Sequence, residues 1–320
     1  MSILDLMSTS PDQRDDCWLK KALQWAIELE FSTIPLYLCG TWSIIQENPP
    51  VPVRGYLADI VLQEMLHMGL ACNMLATLGE VPNILGRLPR YPGPLPGGVR
   101  PSLRVWLAGL SRAMVRGVYM EVELPESGPI TKFLDRSYPT IGSFYDAIYD
   151  AFSRLDPQKI KKERQRELLF GLHRIDSIPD AHRAIRTIKE QGEGTSQNPF
   201  PGADPKDRAH YYRFGEIYYG KELVNKNGHW VYDGPVVLLP AAYPMAEVPD
   251  CGYGDKSVEF NRAFTAVMKL LQSAWETEAG QDALDHAVLD MPSLGGPARE
   301  LMKLPIPDGS GNYGPDFRLV

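Results

Sequence analysis

The strongest constraint on this chain is an acid and a histidine set into an apolar helical stripe. Between residues 53 and 78 the stripe reads Ile60, Glu64, His67, Ala71, Met74, in steps of four, three, four and three. That repeat gathers side chains onto one face of an α-helix. Glu64 and His67 therefore turn inward with the apolar residues. An ionised carboxylate in a core is costly unless it is paired or bound to a cation. The bland reading of such a pair is a buried ion pair or a solvated face, and one Glu-x-x-His is common by chance. The sharper reading is an oxygen and a nitrogen, one turn apart, offered to a single metal ion.

Three other segments extend the pattern. A helix over residues 15–46 begins at Asp15 and Asp16, acids that suit a helix N-terminus. Its stripe is Leu23, Ile27, Ile34 and Leu38, with Glu30 on it and Glu28 off it. Pro35 is expected to bend this helix without ending it. Asp207-Arg-Ala-His210 repeats the acid–histidine spacing, and its stripe continues through Phe214 and Ile217. A helix starting near Pro179 ends in Glu190-Gln-Gly-Glu-Gly194. Strict spacing puts neither acid on its stripe of Ala181, Ile185 and Ile188, though Glu193 comes nearer. The candidate ligands, and equally the candidate catalytic groups, are Glu30, Glu64, His67, Glu193, Asp207 and His210. Four carboxylates and two imidazoles suit two divalent ions with open coordination positions.

Composition narrows the remaining choices. The 320 residues carry 40 acids against 33 bases, a net charge of −7, which argues against general nucleic-acid binding. Six histidines are few, so a metal site has to be rich in carboxylates. Cys17, Cys39, Cys72 and Cys251 form no CxxC pair, so paired-thiolate zinc and a disulfide scaffold are not expected. No apolar run reaches membrane-spanning length, and the N-terminus lacks a signal-peptide pattern. A cytoplasmic protein without membrane or nucleic-acid partners is expected, with a small-molecule substrate and room for a homodimer.

Coarse patterning gives an all-α chain. Residues 82–101 are rich in Pro and Gly and read as a long loop, residues 101–116 as helical, and residues 118–125 as extended. Residues 140–170 read as one or two helices, beginning at Ile141, Phe144, Ile148 and Phe152. Residues 228–234 alternate like a hairpin strand, and residues 256–278 and 281–304 read as helices.

The ordered set of lone Glu, Glu-x-x-His, lone Glu and Asp-x-x-His follows the dinuclear carboxylate site of ferritin-like proteins, with Asp207 in place of a Glu. Leu29-Glu-Phe-Ser-Thr-Ile-Pro-Leu-Tyr37, Gln63-Glu-Met-Leu-His67, Glu190-Gln-Gly-Glu-Gly194 and His210-Tyr-Tyr-Arg-Phe-Gly-Glu-Ile217 resemble the ferritin-like family named after iminophenyl-pyruvate dimer synthase. Phe260-Asn-Arg-Ala-Phe-Thr and Pro297-Ala-Arg-Glu-Leu-Met302 carry the resemblance over nearly the whole chain. It implies a ferritin-like four-helix bundle with extra helices, long loops and a small β-hairpin insertion. One domain over 1–320 is expected, with bundle helices near 15–46, 53–78, 140–193 and 206–220 and a C-terminal helical extension over 256–305.

The same resemblance implies oxidative chemistry in specialised metabolism, as in the coupling of aryl-pyruvate imines. The expected cofactors are two metal ions, iron first and manganese on the same ligands, with dioxygen as co-substrate. No haem motif is present. The competing classes are a metal-binding protein without redox catalysis and a metal-free structural partner. Other residues take bland readings. Glu121 and Glu123 read as surface charge before a ligand or supporting role. Glu216 reads as the partner of Arg213. Tyr37, Tyr211 and Tyr212 read as packing, Met65, Met68 and Met74 as core, and His182 as an ordinary core or surface histidine.

Overall fold

The structure is a computed structural model that describes residues 1–45, 52–125, 139–194, 198–200 and 208–320. After the short α1 (Ile3–Met7), the long α2 (Asp16–Ser43) starts where the Asp15 carboxylate accepts the Trp18 N–H at 2.9 Å. It runs on through Pro35, as expected. Proline removes a backbone donor there, and outside groups bond the nearby carbonyls. The Tyr91 hydroxyl donates to Ser32 O at 2.5 Å, and the Tyr119 hydroxyl to Leu36 O at 3.0 Å. Gly40 permits the second approach, because a Cβ at that position would sit 2.5 Å from the Tyr119 hydroxyl. The other long helix, α3 (Pro52–Ala76), packs along α2.

The loop after α3 holds the two-residue strands β1 (Gly93–Pro94) and β2 (Arg104–Val105), which pair antiparallel. The helix expected over 101–116 therefore begins later, where the Ser111 hydroxyl accepts the Met114 N–H. It comprises α4 (Arg112–Met114), a π-helical turn (Val115–Tyr119) and α5 (Met120–Val122). The segment 118–125, read as extended, ends this helix. Its alternation of Val118, Met120 and Val122 with Tyr119, Glu121 and Glu123 imitates the period of a strand. In a wide π turn, however, neighbouring side chains share the inner face, and Val118, Tyr119, Met120 and Val122 are all buried.

Next come α6 (Ile141–Arg154), begun by a Thr140–Ser143 capping box, and α7 (Ile178–Glu193), ended at Gly194 with φ +71°. Between them the chain is mostly irregular. Asn73 of α3 holds it by donating to Arg166 O at 2.7 Å and His173 O at 2.8 Å. A short helix, α8 (His210–Tyr219), leads into the hairpin β3 (Lys221–Lys226) and β4 (His229–Val236). Asn227 and Gly228 turn the hairpin, both with positive φ, which matches the twist of the flanking strands. The C-terminal extension is α9 (Val258–Glu276), α10 (Gln281–Asp290) and α11 (Gly295–Met302). The single helix expected over 281–304 is thus split, by a 3-10 turn that carries Pro292.

Bundle and extension meet across α2 and α3. An apolar cavity of about 380 Å³ lies there, with Ile34, Leu38, Met65, Phe264, Met268 and Trp275 among its walls. The inward acids sit on another face of the same two helices. Among the described residues, no helix is long and apolar enough to cross a membrane.

Candidate metal centre

Five buried side chains from four elements converge at the centre of the bundle. α2 supplies Glu30, α3 supplies Glu64 and His67, the residue after α5 supplies Glu123, and α8 opens with His210. Their donor atoms form two triads, Glu30–Glu64–His67 and Glu64–Glu123–His210. In each triad the donors lie within 4.8 Å of one another, and Glu64 belongs to both. The imidazole planes face each other at 27°, with centroids 5.7 Å apart.

Each carboxylate faces a hydroxyl. Tyr145 of α6 donates to Glu30 and Tyr37 to Glu123, while Thr33 shares its one proton between Glu64 at 2.9 Å and Glu30 O at 2.7 Å. Both imidazoles aim Nδ1 inward. That of His67 lies 3.5 Å from Glu30 and 3.8 Å from Glu64, and that of His210 lies 2.8 Å from Glu64 and 3.6 Å from Glu123. The outward Nε2 atoms face amide oxygens. Gln191 Oε1 is 2.8 Å from His67, and Gln63 Oε1 is 2.8 Å from His210.

The electrostatics follow from burial. Desolvation raises the Glu30 and Glu123 carboxyls, and the charge of Glu64 pushes them further the same way. Burial acts to raise Glu64 too, but His210 and His67 outweigh it and hold that carboxyl well below its usual range. Burial disfavours imidazolium, yet the facing carboxylates dominate. They push His67 up to about 10 and His210 to about 9. Without a metal, the ring protons stand in for the cations that would balance the acids.

The residues fit a divalent-metal centre. His210 Nδ1 is buried and makes no hydrogen bond of proper geometry, although a carboxylate oxygen is 2.8 Å away. A ring nitrogen so placed, beside carboxylates that accept a cation, becomes a ligand once its proton leaves. A mixed oxygen and nitrogen set of this kind suits iron or manganese.

Of the six residues singled out from the sequence, Glu30, Glu64, His67 and His210 come together here. Glu193 is half-buried at the end of α7. It lines a small cavity beside the acids, with its carboxylate against Gly142, and joins neither triad. Asp207 lies outside the described residues. Sequence reasoning ranked Glu123 with surface charge, and only its neighbour Glu121 fits that reading, paired to Arg100 at 2.6 Å and to Arg116. Tyr37 bonds a candidate ligand instead of merely packing. The Tyr145, Gln63 and Gln191 contacts were missed. A signal existed for Tyr145, four residues after Ile141 and three before Ile148 on one stripe. Glu216 is buried against Arg213 at 2.8 Å and against Arg208, the ion-pair reading. His182 stacks on Tyr149 with centroids 3.7 Å apart.

A cavity of about 40 Å³ adjoins the acids, with room for about one small molecule such as water. Leu29, Val122, Ile141 and Ile188 line it, with Lys189 and Glu193. From the loop over 82–101 it takes Leu95, and from residues 220–255 nothing.

The ferritin-like family model matches residues 23–219, so the chain belongs to the ferritin-like family. In particular, the chain is similar to dichlorochromopyrrolate synthase of Lentzea aerocolonigenes. The two are 23% identical over 83% of this chain and 30% of that protein, so the chain spans under a third of that relative's length. The crystal structure of a ferritin like protein from Caulobacter vibrioides superposes with a TM-score of 0.67 at 22% identity. It covers 94% of this chain and 97% of that one, and shares the fold.

Proposed function

We propose that this chain is a dinuclear-metal oxidoreductase. Iron is the proposed metal, dioxygen the co-substrate, and the substrate a small molecule derived from an aromatic amino acid. One observation carries the reading: two triads of carboxylate and imidazole donors share Glu64 at the buried centre of a helical bundle. A reduced iron pair held there would supply electrons to dioxygen. Glu30, Glu64 and His67 would hold one ion, and Glu64, Glu123 and His210 the other. Tyr145, Tyr37 and Thr33 fix the carboxylates by hydrogen bonds, and the aliphatic wall of Leu29, Val122, Ile141 and Ile188 keeps bulk water away. Beside the candidate ligands, Lys189 and Glu193 bring further charge to this small cavity. Similarity to a biosynthetic synthase supports a place in specialised metabolism.

The test is anaerobic loading with Fe(II), then exposure to oxygen beside aromatic amino-acid-derived imines. The expected result is metal uptake abolished or reduced in His67→Ala and His210→Ala, and substrate-dependent oxygen consumption in the parent. Binding of less than about one ion per chain overturns the reading. Tight binding with no oxygen consumption would instead make the chain a metal-binding protein without redox catalysis.

A further inference from the structure

We infer that Gln63 and Gln191 are positioning residues that fix the tautomer of the opposite histidine, each serving one half of the centre. The inference rests on the metal-centre reading above and assigns it two residues that touch no substrate or metal.

The contacts cross between elements. Gln63 stands beside Glu64 on α3 and reaches His210 on α8, while Gln191 on α7 reaches His67 on α3. In both pairs the amide oxygen faces Nε2 at 2.8 Å. An amide oxygen only accepts, so each ring nitrogen it faces carries the proton and donates. Nδ1 is thereby the position left to give a lone pair to a cation. An amide turned the other way would offer N–H to Nε2. The proton of a neutral ring would then sit on Nδ1 among the carboxylates, blocking the donor. The partner of a ligand histidine's second nitrogen fixes ring orientation and raises ligand basicity, and losing it costs about 10- to 100-fold in metal affinity. His67 and His210 belong to different triads. Each glutamine therefore acts on one ion: Gln191 on the ion held with Glu30, Gln63 on the ion held with Glu123.

The experiment compares the parent with Gln63→Met and Gln191→Met, which keep length and lose the acceptor, and with Gln63→Glu and Gln191→Glu, which keep an acceptor. Proton–nitrogen NMR of isotope-labelled histidine in the metal-free chain reads the Nε2–H protons that the amides hold, and Co(II) titration followed by visible absorption reads the two ions. The parent should show two exchange-protected Nε2–H protons. Each Met variant should lose one of them and weaken one ion by about 10- to 100-fold, while the Glu variants restore both. Unchanged protection of both Nε2–H protons in the Met variants, or equal weakening of both ions by either variant, overturns the inference. Two protected Nε2–H protons in a parent that takes up no Co(II) would leave the two amide–imidazole contacts standing and remove the metal-centre reading instead.

Discussion

Glu64 Oε1 lies 2.8 Å from His210 Nδ1, with both side chains buried, and the contact lacks hydrogen-bond geometry. Neighbouring carboxylates hold His210 up to about 9 and His67 up to about 10, so both rings are protonated at neutral pH in the metal-free chain. A metal needs the Nδ1 lone pair, so loading must expel about one proton from each ring. Apparent affinity should therefore rise from about pH 6 to about pH 9. Stability of the metal-free chain should run the other way. These pKa values are raised above the ordinary 6.5. The stabilisation they bring is complete below that value and lost as pH climbs through 9 to 10. Calorimetric titration with Co(II) in buffers of different ionisation enthalpy checks this, and a proton count near zero would show that the rings begin neutral.

Glu123 and Glu193 are the acids on which the sequence and the geometry put different weight. Glu123 completes the second triad, and Glu193 lines the cavity without joining either triad. Glu123→Gln should hold about one ion per chain where the parent holds about two, and Glu193→Gln should still hold about two. Metal analysis after anaerobic loading and desalting decides it. The reverse pattern would transfer the ligand role to Glu193.

Four of the five clustered side chains were legible because a helix turns spacing into direction. Glu30, Glu64, His67 and His210 all sit on apolar stripes, and stripes face cores. Thr33 and Tyr37 stand three and seven residues after Glu30, on the same face, so their contacts were within reach of the same argument. Glu123 was not, because the π turn before it breaks the 3.6 period and its neighbours alternate like a strand. Gln63 and Gln191 sit off the stripes. Only the packing of α3 against α7 and α8 shows that their amides meet rings from other helices.

Hydroxyl donors on two of the acids should be measurable in stability. Tyr37 and Tyr145 donate to Glu123 and Glu30 in full burial. Phenylalanine keeps the ring and leaves a buried carboxylate oxygen without its donor. Each substitution, Tyr37→Phe and Tyr145→Phe, should destabilise the metal-free chain by about 1.5–3 kcal/mol, the usual range for hydrogen bonds to charged groups. Urea unfolding at pH 7 measures it. Variants within about 0.5 kcal/mol of the parent would mean that the acids are neutral or find water as a substitute.

The approach of the π turn to α2 depends on a missing side chain. A Cβ at residue 40 would meet the Tyr119 hydroxyl at 2.5 Å, while the nearest ring carbons stay at 3.4 Å. Gly40→Ala alone should therefore cost about 1–3 kcal/mol through overpacking. Tyr119→Phe alone loses the bond to Leu36 O and should cost about 0.5–1.5 kcal/mol. Together they should cost less than the sum, because removing the hydroxyl removes the clash. Denaturant unfolding of all four proteins closes the double-mutant cycle. Strictly additive costs would show that Tyr119 swings clear of the new methyl group. The path from α2 to the helix that presents Glu123 would then be looser than the close contact at Gly40 indicates.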